Sequence, residues 1–155
     1  MNRGVIVTGG GHGIGKQICL DFIKAGDKVC FIDKEEKNSA DFAKEHPNLF
    51  YFHGDVADPL TLKRFVEFAM VKLQRIDVLV NNACRGSKGV LSSLSYEEFD
   101  YILSVGLKAP YELSRLCRNE LIKNKGRIIN IASTRAFQSE PDSEAYASAK
   151  GGIVA

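Results

Sequence analysis

Cysteine is scarce, and Cys19, Cys30, Cys84 and Cys117 stand far apart with no CxxC pair among them. That spacing offers neither a disulfide framework nor a metal clamp, so the reduced thiols of a cytoplasmic protein are expected. The three histidines (His12, His46, His53) show no ligand spacing, and no metal is expected. No apolar run approaches the roughly 20 residues that span a bilayer, which argues against a membrane partner. The first residues pass almost at once into a strand-like run, leaving no room for a signal peptide. Charge bias is absent too, since the formal net charge is +2 and the 21 Lys and Arg are scattered. Without a basic cluster, nucleic acid is not an expected partner. Neither an internal linker nor a repeat is visible.

What remains is an average soluble composition, 45% hydrophobic and 26% charged over 155 residues, enough for one domain with a real core. The chain turns on Arg3 to Gly15, RGVIVTGGGHGIG. The apolar run Val5-Ile6-Val7 ends in a glycine cluster, and a helical pattern follows from Ile14 to Lys24. Lys28 to Asp33 reads as a second strand, and Glu35 to Glu45 as a polar helix closed by Pro47. Leu49 to His53 is a third strand. Asp58-Pro59 starts the next helix, with Asp as N-cap and Pro at the first position. Its predicted buried residues are Leu62, Phe65, Val66, Ala69 and Leu73, spaced by three and four. Asp77 to Asn81 is the fourth strand, followed by a loop from Cys84 to Gly89. A long helical stretch then runs from about Ser95 to Lys123, where Pro110 should bend or break it. Its apolar candidates are Phe99, Ile102, Leu103, Leu113, Leu116, Cys117 and Leu121. Gly126 to Ala132 is the fifth strand, and a helix of small residues begins at Tyr146.

Strict β/α alternation predicts an α/β fold: a doubly wound, Rossmann-type parallel sheet in the order 3-2-1-4-5. Its ligand crevice lies at the carboxyl ends of strands one and four, where the winding reverses. Strand, glycine turn and helix bring a phosphate against backbone N–H groups at a helix N-terminus. The turn nevertheless misses the GxGxxG spacing. It also fits a phosphate-binding GxxxxGK[ST] loop only until Gln17, where Ser or Thr should ligate Mg²⁺. Asp33, at the end of the second strand, stands near the spacing of an acid that binds the adenosine ribose. A carboxylate there accepts from a 2′-hydroxyl and repels a 2′-phosphate, so NAD is preferred over NADP. The adjacent Lys34 pulls the other way. Tyr146 and Lys150 share one helix face, where an ammonium lowers a phenol's pKa from about 10 toward neutrality. Such a phenol exchanges protons with an alcohol or carbonyl. Ser133, at the end of the fifth strand, could donate to the same oxygen.

Together these residues resemble the short-chain dehydrogenase/reductase family, classical subfamily. The matching positions are Thr8-Gly9-x-x-x-Gly13-Ile14-Gly15, Asp55-Val56, Asn81-Asn82-Ala83, Ser133 and Tyr146-x-x-x-Lys150. The resemblance implies hydride transfer between a nicotinamide and a small-molecule alcohol or carbonyl. It makes Tyr146 the acid/base and a cofactor contact, with Lys150 depressing its pKa and holding the nicotinamide ribose. Ser133 then polarises the substrate oxygen, Asp55 and Val56 flank the adenine, and Asn82 and Ala83 line the cofactor path. Gly9, His12, Gly13, Ile14 and Gly15 complete the expected cofactor site. Two positions depart from the family pattern: Cys84 replaces a glycine, and Gly106 replaces an asparagine that supports a water relay to the lysine. Cys84 reads as a tolerated packing change, and impaired or rewired proton transfer is the expectation at Gly106. Residues 1–155 read as one NAD-binding domain that stops within the helix carrying Tyr146 and Lys150 and lacks the family's last strands. This portion is expected to belong to a longer protein, homo-oligomeric at full length. The fifth strand then becomes an exposed apolar edge, and the short last helix needs packing to be stable. The alternative function is a nucleotide-binding module that does not catalyse.

Overall fold

The computed structural model describes residues 2–86 and 93–155. Its centre is β1 (Gly4–Thr8), where Val5, Ile6 and Val7 are wholly buried. β2 (Lys28–Asp33) pairs with one side of β1 and β4 (Val78–Asn81) with the other. β3 (Leu49–His53) lies outside β2, and β5 (Arg127–Asn130) outside β4. The sheet is parallel throughout and its order is 3-2-1-4-5, as the alternation predicts.

Successive strand residues face opposite sides, so one sheet supplies two cores. Ile6, Ile32 and Leu79 pack with Leu62 and Phe65 of α3 (Pro59–Leu73) and Leu113 of α5 (Ala109–Lys123). Val5, Val7, Val29 and Val80 form the other core with Cys19 of α1 (Gly13–Lys24) and Phe42 of α2 (Lys37–Lys44). Asp58 caps α3 as expected, its side chain accepting from the Leu60 and Thr61 N–H groups.

Several boundaries differ from the sequence reading. The second helix begins at Lys37 rather than Glu35, after the Asp33 carboxylate takes the Glu35 N–H into a turn at 3.0 Å. Asp77 precedes β4, because its side chain leaves to bind the Gly4 N–H and the Arg75 guanidinium. Val66 is half-buried rather than buried. β5 is shorter than Gly126 to Ala132, and its Ile128 and Ile129 are 44% and 42% exposed. The last helix, α6 (Glu144–Val154), starts before Tyr146 and is packed, with Ala145 and Ala149 wholly buried. In the loop from Cys84 to Gly89, residues 87–89 lie outside the described residues.

The long helical stretch neither breaks nor simply bends. α4 (Tyr96–Leu103) widens into a π-helical turn (Ser104–Lys108) and resumes as α5. The Ala109 N–H reaches back to the Ser104 carbonyl, one residue further than an α-helix would. Pro110 follows in the first turn of α5, where its missing N–H costs little.

Candidate functional site

The carboxyl ends of β1 and β4 are stitched together by two polar side chains. The Thr8 hydroxyl oxygen accepts from the N–H groups of Asn82 and Ala83 at 3.0 and 2.9 Å. The Asn82 side-chain amide in return donates to the carbonyls of Thr8 and Gly9 at 2.9 and 3.1 Å. Gly9 turns the chain at φ 65°, a left-handed conformation suited to glycine. A Cβ on Gly15 would overlap the Gly9 carbonyl oxygen, so only glycine lets α1 start this close to the strand. His12 is the N-cap of α1 and contributes no side-chain cap bond, which leaves first-turn N–H groups for a ligand.

A cavity of about 480 Å³ opens at this edge of the sheet. Gly9, His12, Gly13, Ile14 and Gly15 line its glycine-turn side. Asp33 stands on a second wall, and Asp55, Val56, Asn82 and Ala83 on a third. The Asp33 carboxylate is buried, one oxygen accepting from the Gly11 N–H at 2.9 Å and the other from Glu35. It thus ties the glycine turn to the end of β2 while each oxygen keeps a lone pair. Lys16, the cation a GxxxxGK[ST] loop would aim at phosphates, instead lies 4.4 Å over the Phe42 ring.

Ser133, Tyr146 and Lys150 do not line that cavity. Ser133 precedes a short 3₁₀ turn (Thr134–Ala136), its hydroxyl accepting from the Arg135 N–H at 3.2 Å. Tyr146 and Lys150 stand one turn apart on α6, with the lysine ammonium 5.7 Å from the phenol ring centroid. Lys150 is buried, and its ammonium donates to the Ile131 carbonyl at 2.5 Å. Cys84 joins the two regions, lining the cavity and also lying within the field of Lys150. Burial pushes its thiol pKa up while the ammonium pulls it down. All four cysteines are free thiols, and burial raises those of Cys19 and Cys117 to about 12.

Other cavity residues carry little sequence signal. Tyr101 and Val105 reach the cavity from one face of the α4–π stretch. Only an apolar period marks that helix, and nothing local says which of its turns reaches the cavity. Lys34 and Arg85 are also at the wall, and of the two only Lys34, next to Asp33, carries a sequence signal.

Comparison with known proteins agrees with this geometry. The chain is 41% identical over 155 residues to an uncharacterised oxidoreductase of Thermotoga maritima, covering 97% of this chain and 60% of that protein. An apo SCOR enzyme from Clostridium thermocellum superposes with a TM-score of 0.97 at 92% identity, over 100% of this chain and 64% of that one. A metagenomic short-chain oxidoreductase solved with NADP gives 0.90 at 29% identity, over 98% of this chain and 70% of that one. The chain spans 56–65% of the length of the curated relatives it matches. The family model described as short chain dehydrogenase matches residues 3–155, from the glycine turn through the helix bearing Tyr146 and Lys150. With sheet order, glycine turn and sequence in agreement, this chain belongs to the short-chain dehydrogenase family.

Proposed function

We propose that residues 1–155 form the cofactor-binding portion of an oxidoreductase that uses NAD(H) to interconvert a small-molecule alcohol and its carbonyl. The observation that carries this reading is that the glycine turn, Asp33, Asp55 and the Asn82-Ala83 segment share one cavity. Its features suit a dinucleotide. The uncapped start of α1, with glycines where a Cβ would intrude, suits a pyrophosphate. The Asp33 carboxylate suits ribose hydroxyls, and Asp55 with Val56 an adenine. The same carboxylate favours NAD over NADP by repelling a 2′-phosphate. Lys34 at the cavity wall and the NADP-bound relative make NADP the competitor that the assay must include.

The bound cofactor would supply or receive the hydride. The chain's own residues handle the proton. Tyr146 gives its phenolic proton to the carbonyl oxygen in reduction and takes it back in oxidation. Lys150, anchored by the Ile131 carbonyl, stands beside that phenol and holds the nicotinamide ribose. Ser133 donates a hydrogen bond to the substrate oxygen. In this reading the full-length form is a homo-oligomer.

Calorimetric titration with NAD and NADP, followed by turnover on a panel of alcohols and ketones, tests the proposal. NAD should bind more tightly, and Tyr146→Phe should lower turnover by at least about 100-fold, far more than it weakens cofactor binding. Binding with no turnover on any substrate would assign the chain to a non-catalytic nucleotide-binding module. Failure of both dinucleotides to bind would overturn the reading.

A further inference from the structure

Tyr101 has no part in the chemistry above, yet it forms part of the cavity wall. Its hydroxyl donates to one oxygen of the Asp55 carboxylate at 2.6 Å. The other carboxylate oxygen accepts from the Ala57 N–H at 2.9 Å. Two cations converge on the same phenol. Lys34 Nζ lies 5.5 Å from the ring centroid and donates to the hydroxyl at 3.2 Å. The Arg85 guanidinium carbon lies 5.3 Å from that centroid. A ring engaged by two cations and a short bond to a carboxylate has little rotational freedom. Asp55 is therefore fixed at both oxygens, each with a lone pair still to offer. A carboxylate only accepts, so a ligand group meeting it must bring a donor. Val56 beside it is buried and apolar, a surface for a flat ring.

We infer that Tyr101 is a positioning residue that makes this end of the cavity select a purine carrying an exocyclic amine over one carrying a keto oxygen there. The inference rests on the dinucleotide reading. An amine donates to the fixed carboxylate, whereas a keto oxygen meets it acceptor to acceptor and gains no hydrogen bond there. Without the Tyr101 hydroxyl, Asp55 can turn and the discrimination fades.

Calorimetric titration of the full chain with NAD and with nicotinamide hypoxanthine dinucleotide compares an amine with a keto oxygen at this position of the purine, the hypoxanthine also carrying a proton on the neighbouring ring nitrogen. The unsubstituted chain should prefer NAD by about tenfold, the scale of one charge-assisted hydrogen bond. Tyr101→Phe keeps the ring beside its cations, and the preference should fall below about threefold, mainly through weaker NAD binding. Asp55→Asn, which keeps the shape and removes the charge, should shrink it likewise. A merely structural role would weaken both ligands together and leave their ratio unchanged. An unchanged ratio in Tyr101→Phe, or equal binding of the two ligands by the unsubstituted chain, overturns the inference and leaves the dinucleotide reading standing. Failure of both ligands to bind removes both.

Discussion

At Gly106 a side chain has almost nowhere to go. A Cβ there would lie 3.0 Å from the Ala149 Cβ and 3.2 Å from the Cys84 Sγ. The two departures from the family pattern, Cys84 and Gly106, are therefore neighbours, and the thiol occupies room that a side chain at 106 would need. Each departure was visible in the sequence, but their contact was not, because it depends on how β4, the π turn and α6 meet. Gly106→Asn alone should overpack this junction and cost about 1–3 kcal/mol, read from urea unfolding. Cys84→Gly with Gly106→Asn should recover part of that loss, because the two sites touch. Strictly additive costs would show that the thiol is not the obstacle. The glycine turn was more legible, since Gly9 and Gly15 act within one short stretch. Tyr101 was not, because its partners Asp55, Lys34 and Arg85 come from three other segments.

Elements were legible where a local signal decides them. Asp58-Pro59 announces the start of α3, and the structure places Asp58 as its cap. Pro110 says only that an α-helical hydrogen bond must be missing, and both a bend and a widened turn satisfy that demand. The outcome is a π turn lying against α6, a tertiary contact with no trace in the local sequence. The helix's buried stripe was likewise underdetermined, since Leu113, Leu116, Cys117 and Leu121 all read as apolar candidates. The structure buries Leu113, Cys117 and Leu121 and leaves Leu116 half-exposed at the margin. Leu113→Ala should therefore cost about 2–5 kcal/mol, and Leu116→Ala about 1 kcal/mol or less. Urea unfolding of both variants checks the phase of α5, and equal losses would mean that the helix presents a different face.

Across the whole molecule, burial on both sides of the sheet leaves the charged groups at strand ends to fix where strands begin. Asp77 is the clearest case. Its carboxylate accepts from the Gly4 N–H at 2.8 Å and from Arg75 at 2.7 Å, joining the start of β1 to the approach to β4. The sequence placed Asp77 inside the strand, because alternation cannot distinguish a strand residue from one whose side chain leaves to cap a neighbour. The Arg75 hydrogen bond, helped by the Gly4 N–H and opposed by desolvation, holds its pKa below the usual 3.8. The unfolded chain then binds the proton more readily than the folded one, so this contribution to stability is fully present above the unfolded pKa. It is lost as pH falls through the lower, folded value. Urea midpoints measured from pH 7 to pH 2 should therefore drop on the acid side more steeply for the natural chain than for Asp77→Asn. The variant should be the less stable of the two at pH 7, and the two curves should converge at the acid end, where both carry a neutral group. Curves that stay parallel throughout would show that the carboxylate's charge does not hold the two strand starts together.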